Sequence, residues 1–180
     1  FRGSESDVLD RFYQTVINEK PDFIVRVTSD CPLIDPKLVD KVIEFSINGN
    51  VDYCSNGLIE RYPDGQDVEV FKFSALEKAW KYAKLKSERE HVTPYIIKHS
   101  DFKGGSEFTA LNFTSKINYS KIRMTVDEPN DLKLIETLIE KIGFNKSWLE
   151  YTNCITNNNF NKINDGIIRN EGYIKSIQND

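Results

Sequence analysis

Cysteine is scarce and poorly spaced for structural chemistry. Cys31, Cys54 and Cys154 are odd in number, lie far apart and include no C-x-x-C pair, which excludes finger-type zinc and a disulfide framework and points to a reducing compartment. Long apolar runs are also missing. No stretch approaches the roughly 18 continuous apolar residues of a membrane span, and Phe1-Arg2-Gly3-Ser4 has neither the basic nor the apolar region of a secretory signal. The membrane is therefore not an expected partner, and the cytoplasm is the expected location. Positive charge is not concentrated either: 24 Lys and Arg against 28 Asp and Glu are spread along the chain, for a net charge of −4. That excludes the basic stripe a nucleic acid polymer requires, and an anionic small ligand would need a metal ion or a few aimed cations. No internal repeat is visible, and 180 residues suit a single domain with a substantial core.

What is present is an α/β rhythm. Val8, Leu9, Phe12, Val16 and Ile17 recur at helical spacing within Ser6 to Glu19, and Phe23 to Thr28 is a short β-branched run. Asp35-Pro36 then opens a helix whose apolar face, Leu38, Val39, Val42, Ile43 and Phe45, stops at Gly49. Val51 to Ser55 and Asp67 to Phe73 read as strands on either side of a polar loop, Asn56 to Gln66, rich in turn residues. Ser74-Ala75-Leu76-Glu77 and Ser87-Glu88-Arg89-Glu90 have the spacing of capping boxes, the second predicting a helix from Glu88 to Lys98. Phe108 to Thr114 and Lys121 to Val126 read as further strands, and Pro129 to Gly143 as an amphipathic helix. Ser147 to Ile155 suits a short helix, followed by an Asn-rich stretch and a tail of mixed pattern.

Two acids stand out. Asp30 and Asp127 each follow a β-branched run predicted as a strand, and each precedes a proline and a helix. In open α/β sheets ligands bind outside the carboxyl ends of the strands, and Mg²⁺ favours one or two carboxylates with water and phosphate oxygens. Turn and cap duty is the alternative for both. The loop from Asn56 to Glu69, with Asp64 and Gly65 at its tight turn, suits contact with a polar ligand. Arg89 and His91, in the first turn of a predicted helix, suit an anionic ligand. Glu90 and His99 have sufficient structural explanations, and Cys31 has no activating base nearby.

Four ordered motifs carry a resemblance. Ser29-Asp30-Cys31-Pro32-Leu33-Ile34, Tyr62-Pro63-Asp64-Gly65-Gln66-Asp67-Val68-Glu69-Val70-Phe71, Ser87-Glu88-Arg89-Glu90-His91-Val92-Thr93-Pro94-Tyr95-Ile96 and Thr125-Val126-Asp127-Glu128-Pro129-Asn130-Asp131-Leu132 resemble the spore-coat polysaccharide biosynthesis protein F family. That family belongs among the cytidylyltransferases related to those that activate acylneuraminate and deoxy-octulosonate sugars. The likeness runs from Phe1 to about Ile142, and Arg169-Asn170-Glu171-Gly172-Tyr173 resembles the family's tail.

The resemblance implies a three-layer α/β/α nucleotide-diphospho-sugar transferase fold with a Rossmann-like mixed sheet. Asp30 and Asp127 would hold Mg²⁺, and Asn56, Asp64, Gly65, Glu69, Arg89 and His91 would border the substrate. An oxygen of a sugar acid or sugar phosphate would attack the α-phosphorus of CTP, with GTP as the other candidate nucleotide, and a homodimer is open. The family's opening strand and its Gly- and Arg-containing triphosphate loop precede the point where this sequence starts, and Gly104-Gly105 is a poor substitute. The expectation is thus a partial nucleotidyltransferase domain over residues 1–145, lacking its first strand and Gly-rich loop, with an uncovered strand at Phe23 to Thr28 and low turnover. Residues 146–180 would be an appendage. A non-catalytic sugar-binding module and a glycosyltransferase on the same broad fold are the competing readings.

Overall fold

Alternation along four short strands divides the interior into two faces. In the computed structural model, which describes residues 1–180, β1 (Phe23–Arg26), β2 (Tyr53–Ser55), β3 (Glu69–Lys72) and β4 (Ala110–Asn112) form one sheet in the order β1-β3-β2-β4. β3 pairs antiparallel with both β1 and β2, and β2 pairs parallel with β4. Ile24, Tyr53, Phe71 and Ala110 enter one core cluster while Phe23, Cys54, Val70 and Leu111 enter another, as a period of two requires when both faces are covered.

Helices supply the two covers. On the first face lie α1 (Val8–Val16), α3 (Phe73–Tyr82), α4 (Lys86–His91) and α5 (Pro94–Lys98), contributing Leu9, Tyr13, Leu76, Ala79 and Ile96 to the core. On the second lies α2 (Pro36–Gly49), with Leu38 and Val42 buried. The three-layer α/β/α arrangement is therefore present. A third cluster joins α6 (Pro129–Ile142) to α7 (Trp148–Asn158) through Leu134, Ile135, Leu138, Tyr151, Cys154 and Ile155. Residues just past 145 thus share a core with those before it. Among the α-helices, only α8 (Glu171–Gln178) buries no residue.

Several local expectations change. Asp35 caps α2 as expected, its Oδ1 accepting from the Lys37 N–H at 2.9 Å, but Asn50, not Gly49, takes the left-handed terminal position. Neither predicted capping box forms as read. α3 starts two residues early with Lys72 at its cap, and Ser87 turns its hydroxyl to the Asp180 carboxylate, leaving Glu88 to accept from the Lys84 and Leu85 N–H groups. The single helix predicted over Glu88 to Lys98 is broken at Val92, which has φ +74° and ψ −56° and lets the Thr93 N–H reach the His91 carbonyl. This is a γ-turn, strained for a β-branched residue.

Lys121 to Val126 is not a strand of the sheet. It makes one bridge, at Arg123 opposite Asp64, because Gly65 (φ +92°) turns the facing chain away before a ladder can extend. A Cβ there would lie 2.6 Å from the Met124 carbonyl carbon, so this close approach requires glycine. β1 is an edge strand, with Val25 and, just beyond the strand, Val27 exposed. No helix is long and apolar enough to cross a membrane.

Candidate active site

Although it forms no ladder, the segment Arg123 to Asp127 keeps the alternation of an extended chain. Met124 and Val126 pack into the α6/α7 core, whereas Arg123, Thr125 and Asp127 line a cavity of about 710 Å³, a size suited to a small organic ligand. The turn after β1 brings Asp30 to the same cavity. Its carbonyl accepts from the Val126 N–H at 2.8 Å, and its Oδ2 lies 3.2 Å from the Thr125 hydroxyl. Two acids from distant parts of the chain are thereby brought into one cleft. They do not sit at the ends of neighbouring strands, since β1 ends at Arg26 and Asp127 follows no strand.

Behind Asp127 is a buried ionic hub. Arg123, 9% exposed, places Nε and Nη2 on the two carboxylate oxygens of Asp131 at 2.9 and 2.8 Å, Nη1 on Asp64 at 2.6 Å and Nη2 also on Asp127 at 2.6 Å. Asp131, 0% exposed, further accepts from Asn164 and from the Asp127 and Glu128 N–H groups. Burial works against the Arg123 charge, but hydrogen bonds to Asp131 and Asp127 and the nearby carboxylates outweigh it and raise its pKa. Burial likewise works against an ionised Asp131 and is outweighed by Arg123, Asn164 and backbone donors, so its pKa falls. A fork with several charged acceptors fixes geometry as well as energy.

A second network forms the opposite wall. Glu69, at the start of β3, accepts from the Tyr53 and Thr93 hydroxyls at 2.6 Å each and pairs with Arg26. The γ-turn at Val92 directs His91 and Thr93 to the cavity while Val92 itself is buried. His91 ends α4 rather than starting a helix, so the expected help from a helix N-terminus is absent. Its ring nitrogen meets the Ser176 hydroxyl at 2.9 Å, and burial lowers its pKa, favouring the neutral imidazole.

The remaining wall comes from the tail. Arg169 reaches Asp67 at 2.6 Å and the Tyr62 carbonyl at 3.2 Å, with Asp64 and Glu60 at 3.8 and 3.5 Å. Burial raises the Asp67 carboxyl to about 6 in spite of Arg169, and burial also raises that of Asp64 against the pull of Arg169 and Arg123. Cys31 borders Asp30, and burial pushes its thiol up to about 12, in keeping with a role other than nucleophile.

Of the sequence candidates, Asp30, Asp64, Glu69, His91 and Asp127 line the cavity. Asn56 lies behind it, fully occupied by the Gln66 carbonyl and the Val68 N–H. Gly65 also stands outside, as the turn that lets Asp64 meet Arg123. Arg89 is a correction: it is held by Asp7 through two bonds and by the Trp80 carbonyl, tying α4 to α1. Sequence reasoning did not single out Arg26, Tyr53, Thr93, Arg123, Thr125 or Arg169. For Arg123 and Thr125 a signal existed, because they precede Asp127 by four and two residues and so share its side of an extended chain.

Asp30 and Asp127 fit a hydrated magnesium ion by chemistry. Asp127 Oδ1 has no protein partner and Asp30 Oδ1 has only the Cys31 thiol at 3.7 Å, so each carboxylate retains an oxygen for a ligand. No cluster of three or more His, Cys, Asp or Glu groups forms an all-protein cage, the kind of site Mg²⁺ seldom uses.

Comparison with known proteins places this geometry in context. Residues 1–159 match the family model described as cytidylyltransferase. Uncharacterized protein MJ1063 of Methanocaldococcus jannaschii is 45% identical over 134 residues, covering 74% of this chain and 53% of that protein. Spore coat polysaccharide biosynthesis protein SpsF of Bacillus subtilis is 33% identical over 144 residues, covering 79% of this chain and 58% of its own length. The chain thus spans somewhat over half the length of these curated relatives. The solved structure of a cytidylyltransferase from Leptospira borgpetersenii superposes with a TM-score of 0.83 at 29% identity, over 93% of this chain and 70% of that one.

Proposed function

We propose that this chain, which belongs to the cytidylyltransferase family, carries the metal and acceptor side of a nucleotidyl transfer site that joins CTP to a sugar acid or sugar phosphate. The observation that carries the reading is the convergence of Asp30 and Asp127, each with a free carboxylate oxygen, on one cavity. The likeness to a protein named for spore coat polysaccharide biosynthesis supports a role in building glycans, in the cytoplasm where CTP is available.

In such a transfer an acceptor oxygen, either the anionic oxygen of a sugar phosphate or a hydroxyl that passes its proton to solvent, forms a bond to the α-phosphorus, while the bond to the bridging oxygen breaks and pyrophosphate departs with the electron pair. When bound, Mg²⁺ neutralises charge on the phosphate oxygens and orients them. Asp30 and Asp127 would hold it. Protein residues otherwise bind and orient. Glu69 is itself fixed by Tyr53, Thr93 and Arg26, so it offers a sugar hydroxyl a rigid acceptor. His91, neutral through burial, serves as a hydrogen-bonding group rather than a standing cation. Arg26, paired with Glu69, and Lys175, paired with Glu171, line the cavity and would have to share their charge with an acidic sugar.

Pyrophosphate release by the full-length polypeptide, measured with CTP or GTP, Mg²⁺ and a panel of sugar acids and sugar phosphates, tests the proposal. Release with CTP and at least one acidic sugar is expected, with loss in D30N. Sugar binding without release for any member of the panel would overturn it in favour of a non-catalytic sugar-binding module.

A further inference from the structure

We propose that Thr125 and Arg123 are positioning residues that set the two carboxylates, Thr125 acting on Asp30 and Arg123 on Asp127. The proposal rests on the metal reading of those two acids and extends it to the residues behind them.

Neither acid lies in a strand or in the body of a helix. Asp30 is in the turn after β1, and Asp127 precedes α6 with its side chain 55% exposed. A carboxylate in such a place samples several rotamers unless something holds it, and ordering it at the moment of metal binding would weaken that binding. Both are held, and from one segment. The Thr125 hydroxyl lies 3.2 Å from Asp30 Oδ2 and 3.1 Å from the Asp30 carbonyl, so its single proton is shared between them, while the Val126 N–H holds the same carbonyl. Thr125 is itself buried.

Arg123 does the same for Asp127 from a mounting that cannot swing. Its fork is locked on Asp131, Asp131 is locked by Asn164 and two N–H groups, and Nη1 is taken by Asp64. The donor left for Asp127 is therefore aimed rather than mobile, and it occupies Oδ2 only. An arginine beside a metal ligand would ordinarily oppose the cation. Here Asp64 and Asp131 balance its charge, so Asp127 gains a donor without a net positive neighbour. Outer groups of this kind orient ligands and typically alter metal affinity by about 10–100-fold when removed.

Manganese affinity, read by electron paramagnetic resonance on the full-length polypeptide alongside urea unfolding curves, separates positioning from mere support. Asp30→Asn and Asp127→Asn are expected to weaken Mn²⁺ binding, as the metal reading requires. Thr125→Val, which keeps the shape and removes the hydroxyl, is expected to weaken it about 10-fold. Thr125→Ser, which keeps the hydroxyl and loses a methyl group, should bind like the unmodified protein even where it unfolds more easily. Arg123→Lys should also bind about 10-fold more weakly. Because that variant can fail to fold, Asn164→Ala supplies the second test of the hub: it loosens Asp131 without removing a charge and should weaken Mn²⁺ while the protein remains folded. Equal affinity in Thr125→Val and the unmodified protein, or a Thr125→Ser variant as weak as Thr125→Val, overturns the Thr125 half. Unchanged affinity in Asn164→Ala and Arg123→Lys overturns the Arg123 half. If both Asp variants bind Mn²⁺ like the unmodified protein, the metal reading itself falls and takes the positioning proposal with it.

Discussion

Two of the cavity's walls are built by opposite means. On one side, Arg123, Asp64 and Asp131 are buried and cross-bonded, and each donor and acceptor is fixed by a neighbour that is itself fixed. On the other, the strap from Gly166 to Asp180 buries no residue of α8 and is held by polar contacts: Arg169 to Asp67, Asn170 to Glu60, Ser176 to His91 and Asp180 to Ser87. A wall of the first kind preorganises charge, whereas one of the second kind can be remade as ligands enter and leave. The difference divides labour: the ionic hub stands behind the acids that would hold the metal, and the strap lines the cavity beside them.

Breaking the hub should produce the largest change. Asp131→Ala removes the fully buried partner of Arg123 and strands Asn164 and two backbone N–H groups, and loss of one partner from a buried pair costs about 3–5 kcal/mol. Urea unfolding should show that loss; a change under about 1 kcal/mol, the scale of an exposed ion pair, would mean the hub is not the rigid element described. A smaller effect is expected at Asp35, whose two carboxylate oxygens accept from the Lys37 and Trp148 N–H groups and so tie the starts of α2 and α7. Asp35→Ala should cost about 1–2 kcal/mol, the range for a lost N-cap.

On the strap side, Arg169→Ala should cost less than about 1 kcal/mol in global stability, as expected for partly exposed ion pairs. Amide hydrogen exchange across residues 167–178 should nevertheless accelerate, with exchange in α6 unchanged. Acceleration in both would erase the contrast between the walls.

The pH response sharpens the contrast further. Asp67 has a carboxyl raised by burial to about 6 from 3.8, so the folded chain binds more protons than the unfolded one between those values. Its contribution to stability is full below about pH 4 and is lost as the pH rises through about 6. Asp67→Asn should flatten that part of the profile of melting temperature against pH. An unaltered slope between pH 4 and 6 would assign the slope to another group.

How much of this was visible beforehand depended on how local the determining contact is. The layers were legible because alternation in Phe23 to Arg26 and helical spacing in Leu38 and Val42 are set by near neighbours. Asp30 was legible from its turn and the proline that follows. Arg89 misled because its partner, Asp7, lies on another helix, and no feature near Ser87-Glu88-Arg89-Glu90 marks that pairing. The γ-turn at Val92 was hidden for the opposite reason: burial of Val92 and the packing of α5 override the local helical pattern around it. Arg123 was overlooked because Lys121 to Val126 was read for its terminal acid alone, although the alternation that buries Met124 also aligns Arg123, Thr125 and Asp127.

The central claim, that Asp30 and Asp127 together bring a metal to the phosphates of CTP, is tested most directly by phosphorus NMR of CTP with Mn²⁺ and the full-length polypeptide. Relaxation of the α-phosphorus well above that of the free Mn²⁺–CTP complex is expected with the unmodified protein and with Arg169→Ala, and loss of that excess in Asp30→Asn and Asp127→Asn. Undiminished relaxation in both Asp variants would contradict the claim.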